Sequence, residues 1–208
     1  MDITVFDVVG TLIVPCPQVS HVYMECGKRH GIGIAESEIA EKFSAAWRQQ
    51  DVIDSLAELP FKTSEHRERE RWRLIVEDVF DGHPSSRLIF DELWCHFADP
   101  CSWRPLEEGM QKVSEVEKSG GLIALASNFD YRLFQIAKSM YPLTSAKYVF
   151  TSSELGWRKP AINFFRAIEH RLGRRPEELT LVGDDPELDI AAARKAGWHA
   201  HSIAITAS

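Results

Sequence analysis

The chain has 208 residues, 44% of them hydrophobic and 26% charged, with a formal net charge of −7. That is an ordinary globular composition, long enough for one domain with an insertion or two small domains, and no long basic block points to nucleic acid or an anionic membrane surface. No apolar run approaches the length of a membrane span and the N-terminus lacks a basic-then-apolar leader pattern, so a cytoplasmic protein is expected.

The chain opens with a short apolar run, Ile3 to Phe6, that delivers one carboxylate, Asp7, to its carboxyl end before Gly10-Thr11 turns the backbone. A run of this length bounded by a turn predicts a buried parallel strand. In open α/β sheets ligands bind beyond the carboxyl ends of the strands, where an Asp can act as nucleophile or metal ligand. Pro15-Cys16-Pro17 then breaks the pattern, and from there to about Pro105 no convincing strand appears. Helical spacing takes over instead. Ile39, Phe43, Ala46 and Trp47 share one face, Trp72, Ile75 and Val79 a second, and Ile89, Leu93 and Phe97 a third, as in a helical bundle with its own core. The alternating charges from Glu65 to Arg73 are expected on a solvated helix face. Cys16, Cys26, Cys95 and Cys101 show neither C-x-x-C spacing nor a zinc-like grouping with histidine, so free thiols are expected.

From Pro105 the chain alternates helix and strand. Helices are predicted over Leu106–Ser119, Tyr131–Met140, Ala161–Leu172 and Pro186–Ala196, and strands over Leu122–Ala126, Lys147–Thr151, Leu179–Val182 and Trp198–Ile203. Gly120-Gly121, Gly173 and Gly197 supply the helix stops. The fold class expected is α/β: a Rossmann-like parallel sheet flanked by helices, formed by residues 1–15 and 105–208 and interrupted by an α-helical cap over residues 16–104.

The predicted strand ends carry the chemistry. Ser127 and Asn128 offer a hydroxyl and an amide suited to an anionic oxygen. Gly156-Trp157-Arg158-Lys159-Pro160 places a lysine before a proline at a helix start, where its cation can neutralise a phosphoryl group or a carboxylate. Gly183-Asp184-Asp185 follows the next strand. Asp185 suits an N-cap with Pro186 at the first helical position, which frees Asp184 to face a metal. Each residue also has a plain structural role: Ser127 in a turn, Lys159 in solvent, Asp184 and Asp189 beside a helix dipole. Together they supply a nucleophile, a hydroxyl, a cation and a hard-metal carboxylate in an order suited to phosphoryl transfer, with Mg²⁺ as the natural ion.

With these residues in place, the sequence resembles the haloacid dehalogenase-like (HAD) hydrolase superfamily. DVVGTL resembles its first motif, LASNFD its second, the lysine of GWRKP its third and VGDDPELDIAAARKAG its fourth. The position of the helical segment resembles the class with a C1 cap. SNFDYRL and TSSELGWRKPAINFF are similar to the branch containing haloacid dehalogenase-like hydrolase domain-containing protein 3. The resemblance implies that Asp7 attacks phosphorus to form an aspartyl-phosphate and that Ser127, Asn128, Lys159 and Thr11 bind the transferring group. It also implies that Asp7, Asp184 and the backbone carbonyl of Val9 hold Mg²⁺, and that Asp189 orients the metal shell or Lys159.

One position departs from the family pattern. Family phosphatases carry a second Asp two residues after the nucleophile, as general acid and base; here that residue is Val9. Its loss is worth roughly 10²–10⁴-fold in rate. The expectation is therefore a slow Mg²⁺-dependent phosphatase-like hydrolase acting on a small phosphorylated molecule, or one that borrows an acid such as His21 or His30 from the cap. The alternatives are a phosphonate hydrolase using a cap lysine (Lys28, Lys42 or Lys62) and a binding or regulatory protein that retains the fold. A metal-independent 2-haloacid dehalogenase also lacks the second Asp, but Gly183-Asp184 argues against it. The sequence is compatible with a monomer or a homodimer.

Overall fold

A computed structural model describes residues 3–203. The first strand, β1 (Ile3–Phe6), leads through a tight loop into β2 (Ile13–Pro15). Four helices follow: α1 (Val19–Arg29), α2 (Glu36–Leu56), α3 (Glu65–Val79) and α4 (Ser86–His96). The chain returns through β3 (Trp103–Pro105) and α5 (Glu107–Lys118) to β4 (Leu122–Ser127) and α6 (Arg132–Ala137). Strand β5 (Tyr148–Thr151) is followed by the single turn α7 (Ser152–Leu155) and by α8 (Ile162–Leu172). Strand β6 (Leu179–Gly183), a π-helical turn (Pro186–Ala191), α9 (Ala192–Lys195) and β7 (His199–Ser202) complete the described chain.

Five strands form one parallel sheet in the order β5-β4-β1-β6-β7. The expected α/β sheet is therefore present, with β1 at its centre despite the ninety residues inserted after it. Residues of β1 alternate between two cores. Ile3 and Val5 pack with Phe164, Phe165, Ile168 and Trp198 on one face; Phe6 packs with Val113, Leu133 and Ile136 on the other. Burial on both faces is what requires the continuous apolar runs read in β1, β4 and β6. No helix among the described residues is long and apolar enough to cross a membrane.

Three expectations about elements need correcting. A short antiparallel ribbon, β2 paired with β3, sits where no strand is predicted, with Ile13 opposite Pro105 and Pro15 opposite Trp103. Three residues bracketed by prolines are too few to show a period of two. Pro160 does not begin α8, which starts at Ile162 after Ala161. The expected Tyr131–Met140 helix is shorter, Arg132–Ala137, and residues 138–142 form turns and a bend.

Helices α1–α4 enclose a third core, built on Tyr23, Ile39, Ile75, Val79, Ile89, Phe90 and Leu93. The aromatic and aliphatic faces predicted from helical spacing supply it. The charged face of α3 does not behave as expected: Glu68 and Arg71 are each only 1% exposed. Glu68 accepts two hydrogen bonds from Arg158 Nη1, at 2.8 and 2.7 Å, and a third from Thr63 Oγ1 at 2.8 Å. Arg71 binds Asp54 at 2.5 Å and Asp51 at 2.6 Å, while Arg67 binds Asp54 at 2.7 Å. Charge alternation hides this arrangement, because partners elsewhere in the chain decide which members of the run are buried.

The Glu68–Arg158 pair fastens the helical insertion to the sheet, and the backbone reinforces it. Arg158 N donates to Phe61 O and Thr63 N to Gly156 O, both at 2.9 Å, around an isolated antiparallel bridge between Lys62 and Trp157. The Arg158 guanidinium pulls the Glu68 carboxyl below its usual range, against the desolvation that would raise it. Removing one partner of such a pair leaves the other charge buried and uncompensated, which costs about 3–5 kcal/mol. Glu68→Ala is expected to lower unfolding stability by about that much at pH 7. Urea denaturation checks it, and a loss below about 1 kcal/mol, the range of an exposed pair, would mean that the pair does not hold the two parts together.

Candidate functional site

The residues singled out at the strand ends converge. Asp7 follows β1, Ser127 ends β4, Lys159 lies in the loop after α7, and Asp184 and Asp189 follow β6. The pairing of β1 with both β4 and β6 brings their carboxyl ends side by side. Asp7, Ser127, Asn128, Lys159, Asp184 and Asp189 all line one cavity of about 450 Å³.

Lys159 organises the floor of this cavity. Its ammonium, 4% exposed as a residue, lies 2.7 Å from Asp7 Oδ1 and also contacts Asp189 Oδ1. Asp189 Oδ2 accepts from Asp185 N at 3.1 Å, which fixes the carboxylate from the other side. The π turn aims Asp189 here: Asp185 O accepts from both Asp189 N and Ile190 N, at 3.1 and 3.2 Å. Asp185 caps that turn as its sequence suggests, accepting from Glu187 N and Leu188 N at 2.8 Å, with Pro186 in the first position.

Two glycines make the crowding possible. A Cβ on Gly10, where φ is +94°, would lie 2.6 Å from Asp184 Oδ2. One on Gly183 would lie 2.3 Å from Asp189 Oδ2. Both neighbours are carboxylates held by other bonds, so a side chain at either glycine displaces an acid of the site.

Thr11 and Asn128 take on orienting work. The buried Thr11 hydroxyl donates to Asp184 Oδ1 at 2.7 Å and lies 3.4 Å from Asp7 Oδ2, so it sits between two acids. The Asn128 carboxamide is committed to the Lys159 backbone: Oδ1 accepts from Lys159 N at 2.8 Å, and Nδ2 donates to Lys159 O at 3.1 Å. Val9 lines the cavity with an apolar side chain.

Carboxylate oxygens of Asp7, Asp184 and Asp189 all lie within 4.8 Å of one another. Three carboxylates against one ammonium leave two negative charges in excess. The donor set is oxygen only, so the residues present fit a hard divalent ion such as Mg²⁺. Burial raises Asp7 to about 6, assisted by Asp189 and Asp184 and opposed by Lys159. Burial likewise raises Asp184, against the pull of the Thr11 hydroxyl. Burial alone would depress Lys159, but Asp7 and Asp189 outweigh it and hold the ammonium above the ordinary lysine range.

The insertion supplies the roof. Trp47, Asp51, Val52 and Ser55 of α2, with Phe61, face the core acids across the cavity. Of these, the sequence marks only Trp47, and as part of an apolar helix face; Asp51, Val52, Ser55 and Phe61 carry no signal there. The polar cap residues that were singled out lie elsewhere. His21 pairs with Glu36 and His30 with Glu92, and neither lines the cavity. Lys28 binds Glu25, Lys42 binds Asp81 and Glu38, and Lys62 is exposed. The four cysteines are free thiols, as expected.

The sign of the Asp7 contribution to stability follows from its raised value. Between the ordinary 3.8 and about 6 the folded chain holds the Asp7 proton and the unfolded chain does not. Stability from this group is therefore greatest below pH 4 and is lost as pH rises through 6. Asp7→Asn keeps the neutral shape, so it is expected to stabilise the metal-free protein by about 1–3 kcal/mol at pH 8 and by nothing at pH 3.5. Thermal unfolding at the two pH values checks this; equal stability of the two proteins at pH 8 would contradict it.

The family model described as haloacid dehalogenase-like hydrolase matches residues 1–197. Haloacid dehalogenase-like hydrolase domain-containing protein 3 of Bos taurus is 26% identical over 204 residues, covering 96% of this chain and 80% of that protein. Ribulose-1,5-bisphosphate 5-phosphatase of Halopiger xanaduensis is 34% identical over 109 residues, 51% of this chain and 44% of that protein. Among solved structures, the defluorinating L-2-haloacid dehalogenase Rha0230 superposes with a TM-score of 0.74 at 19% identity, covering 96% of this chain and 80% of its own. The chain belongs to the haloacid dehalogenase-like hydrolases, on the branch of domain-containing protein 3.

Proposed function

We propose that the chain is a Mg²⁺-dependent phosphatase-like hydrolase that works on a small phosphorylated molecule through an aspartyl-phosphate on Asp7. The observation that carries this reading is the trio of acids packed around one buried lysine at the sheet's carboxyl edge. The excess of carboxylates favours a metal-dependent reaction over the metal-free displacement of a haloacid. The partial similarity to a phosphatase supports the same choice.

In this mechanism Asp7 is the nucleophile, ionised above its raised value of about 6. Lys159, already charged and held by Asp189, meets the negative charge that develops on the transferring oxygens. The Ser127 hydroxyl, at the end of β4 in the same cavity, donates to one of those oxygens. Asn128 sets the Lys159 backbone, and Thr11 sets Asp184. Mg²⁺, when bound by Asp7, Asp184 and the main-chain carbonyl of Val9, supplies the positive charge that lets a dianion approach three carboxylates. Residues 16–104 act as the cap and residues 1–15 with 105–208 as the core; the ends of that division, 1–2 and 204–208, lie outside the described residues.

Acetyl phosphate tests the chemistry without calling on a general acid. With Mg²⁺ it is expected to phosphorylate Asp7, detected as a mass increase on that residue after acid quench, and Asp7→Asn and chelation by EDTA abolish the label. No label on wild-type Asp7 rejects the reading. Val9→Asp restores a proton carrier and is expected to raise turnover of an alkyl phosphate by about 10²–10⁴-fold. Unchanged turnover in that variant would mean that the residue two positions after the nucleophile does not limit the reaction.

A further inference from the structure

A second cavity, of about 470 Å³, adjoins the first. Val9, Trp47 and Asn128 line both, so the two cavities meet at these residues, the first being the polar end and the second the apolar end of the space around Val9. Aromatic rings make up the apolar end: Phe43, Trp47 and Trp72 from the insertion, Phe129 after β4, Phe97 after α4, and Trp103 at the start of β3. Phe43, Trp47 and Trp72 pack on one another with centroids 5.3–6.4 Å apart, and Trp103 lies 5.8 Å from Phe129. Rings held in this way leave flat apolar walls that accept another planar ring.

The polar groups at this end are few, and none is an acid. Asn128 is committed to the Lys159 backbone. Arg132 forms a two-pronged bond with Asp130, and its guanidinium lies 3.6 Å from the Trp94 ring centroid, so its charge is already answered. Ser44 and the exposed Arg48 complete the lining, and neither gives up a proton to a leaving alkoxide near neutral pH. At the junction stands Val9, whose side chain continues the apolar wall toward the nucleophile.

Resting on the phosphohydrolase reading above, we propose that the substrate is an aryl phosphate, the phosphate ester of a phenol. The phosphoryl group lies in the polar end against Asp7 and Lys159, and the ring lies between Trp47, Trp72 and Phe129. Two features of the apolar end meet in this assignment: its walls are aromatic, and its lining includes no acid. A phenol has a pKa of about 10 and departs as its anion, whereas an alkoxide, the base of an acid about as weak as water at about 15.7, needs a proton. The apolar residue at position 9 is then part of the binding wall for a leaving group that does not call on an acid.

The step balances without a further reactant. An Asp7 carboxylate oxygen forms a bond to phosphorus, the bond from phosphorus to the phenolic oxygen breaks, and the electron pair leaves on that oxygen, which takes a proton from solvent. Water then attacks the phosphorus of the aspartyl-phosphate, releasing phosphate and the Asp7 carboxylate, with its proton going to solvent.

The test compares 2-naphthyl, cyclohexyl and acetyl phosphates on the full chain with Mg²⁺. For wild type, kcat/KM for 2-naphthyl phosphate is expected to exceed that for cyclohexyl phosphate at least 100-fold. In Trp72→Ala, the ratio of kcat/KM for 2-naphthyl over acetyl phosphate is expected to fall at least tenfold, while Trp72→Phe keeps most of it. A ratio separates the chamber from a general folding defect, which lowers both substrates together. A binding readout stands apart from turnover: 2-naphthyl phosphonate, which cannot be hydrolysed, is expected to quench tryptophan fluorescence and to bind at least tenfold more weakly to Trp72→Ala. Cyclohexyl phosphate within fivefold of 2-naphthyl phosphate overturns the proposal, as does a ratio or phosphonate affinity unchanged by Trp72→Ala. If acetyl phosphate labels Asp7 and these selectivities are absent, the aryl assignment alone falls. If acetyl phosphate leaves Asp7 unlabelled, the phosphohydrolase reading falls and takes the aryl ester with it, whatever the phosphonate shows.

Discussion

One buried ammonium holds the site in shape. Lys159 sits between Asp7 after β1 and Asp189 after β6, two acids that would repel each other at this distance without it. Its backbone is clamped by Asn128 after β4, so a single residue gathers the ends of three strands. The glycines at 10 and 183 exist in this geometry because the acids crowd inward. Burial is the main cause of the raised values of Asp7 and Asp184, and the neighbouring Asp189 adds to it in both.

The residue before this lysine faces the other way. Arg158 reaches Glu68 on α3, and its amide joins the bridge at Phe61. Two consecutive cations in one loop thus hold the site to the sheet and the insertion to the site. Around Arg158, the arginines 67, 71 and 158 meet the acids 51, 54 and 68 in a balanced cluster. Asp51 belongs to that cluster and also lines the polar cavity, so the charges that seat the insertion shape the wall facing the nucleophile.

Much of this is legible in the amino-acid sequence. Apolar runs that end in Asp7, Ser127 and Gly183 identified the sheet because a strand buried on both faces leaves no room for polar alternation. Asp185-Pro186 identified a capped turn because each residue type has a local backbone preference that survives any tertiary context. What escaped notice depends on distant partners. Glu68 and Arg71 read as solvated because a charged residue is exposed unless an opposite charge, unknown from local sequence, arrives to pair with it. Asn128 reads as an anion binder by type and Thr11 only through the family resemblance; the hydrogen bonds that decide their placement, to the Lys159 backbone and to Asp184, depend on distant partners. The polar cap residues that drew notice, His21, His30 and the lysines, lie away from the cavity, while the chamber is walled by aromatic residues whose helical spacing is equally that of a core.

The β2–β3 ribbon has a consequence for how this architecture varies. Entry to and exit from the inserted helices are adjacent paired strands, with Ile13 opposite Pro105 and Pro15 opposite Trp103. The excursion of roughly ninety residues therefore begins and ends at one place, and the closure entropy it adds to the sheet grows only slowly with its length. Changes in length or packing among the helices leave the register of the parallel strands untouched. An ancestral gene with this layout can exchange its recognition module, lengthen it or repack it, while inheritance keeps the reactive centre intact.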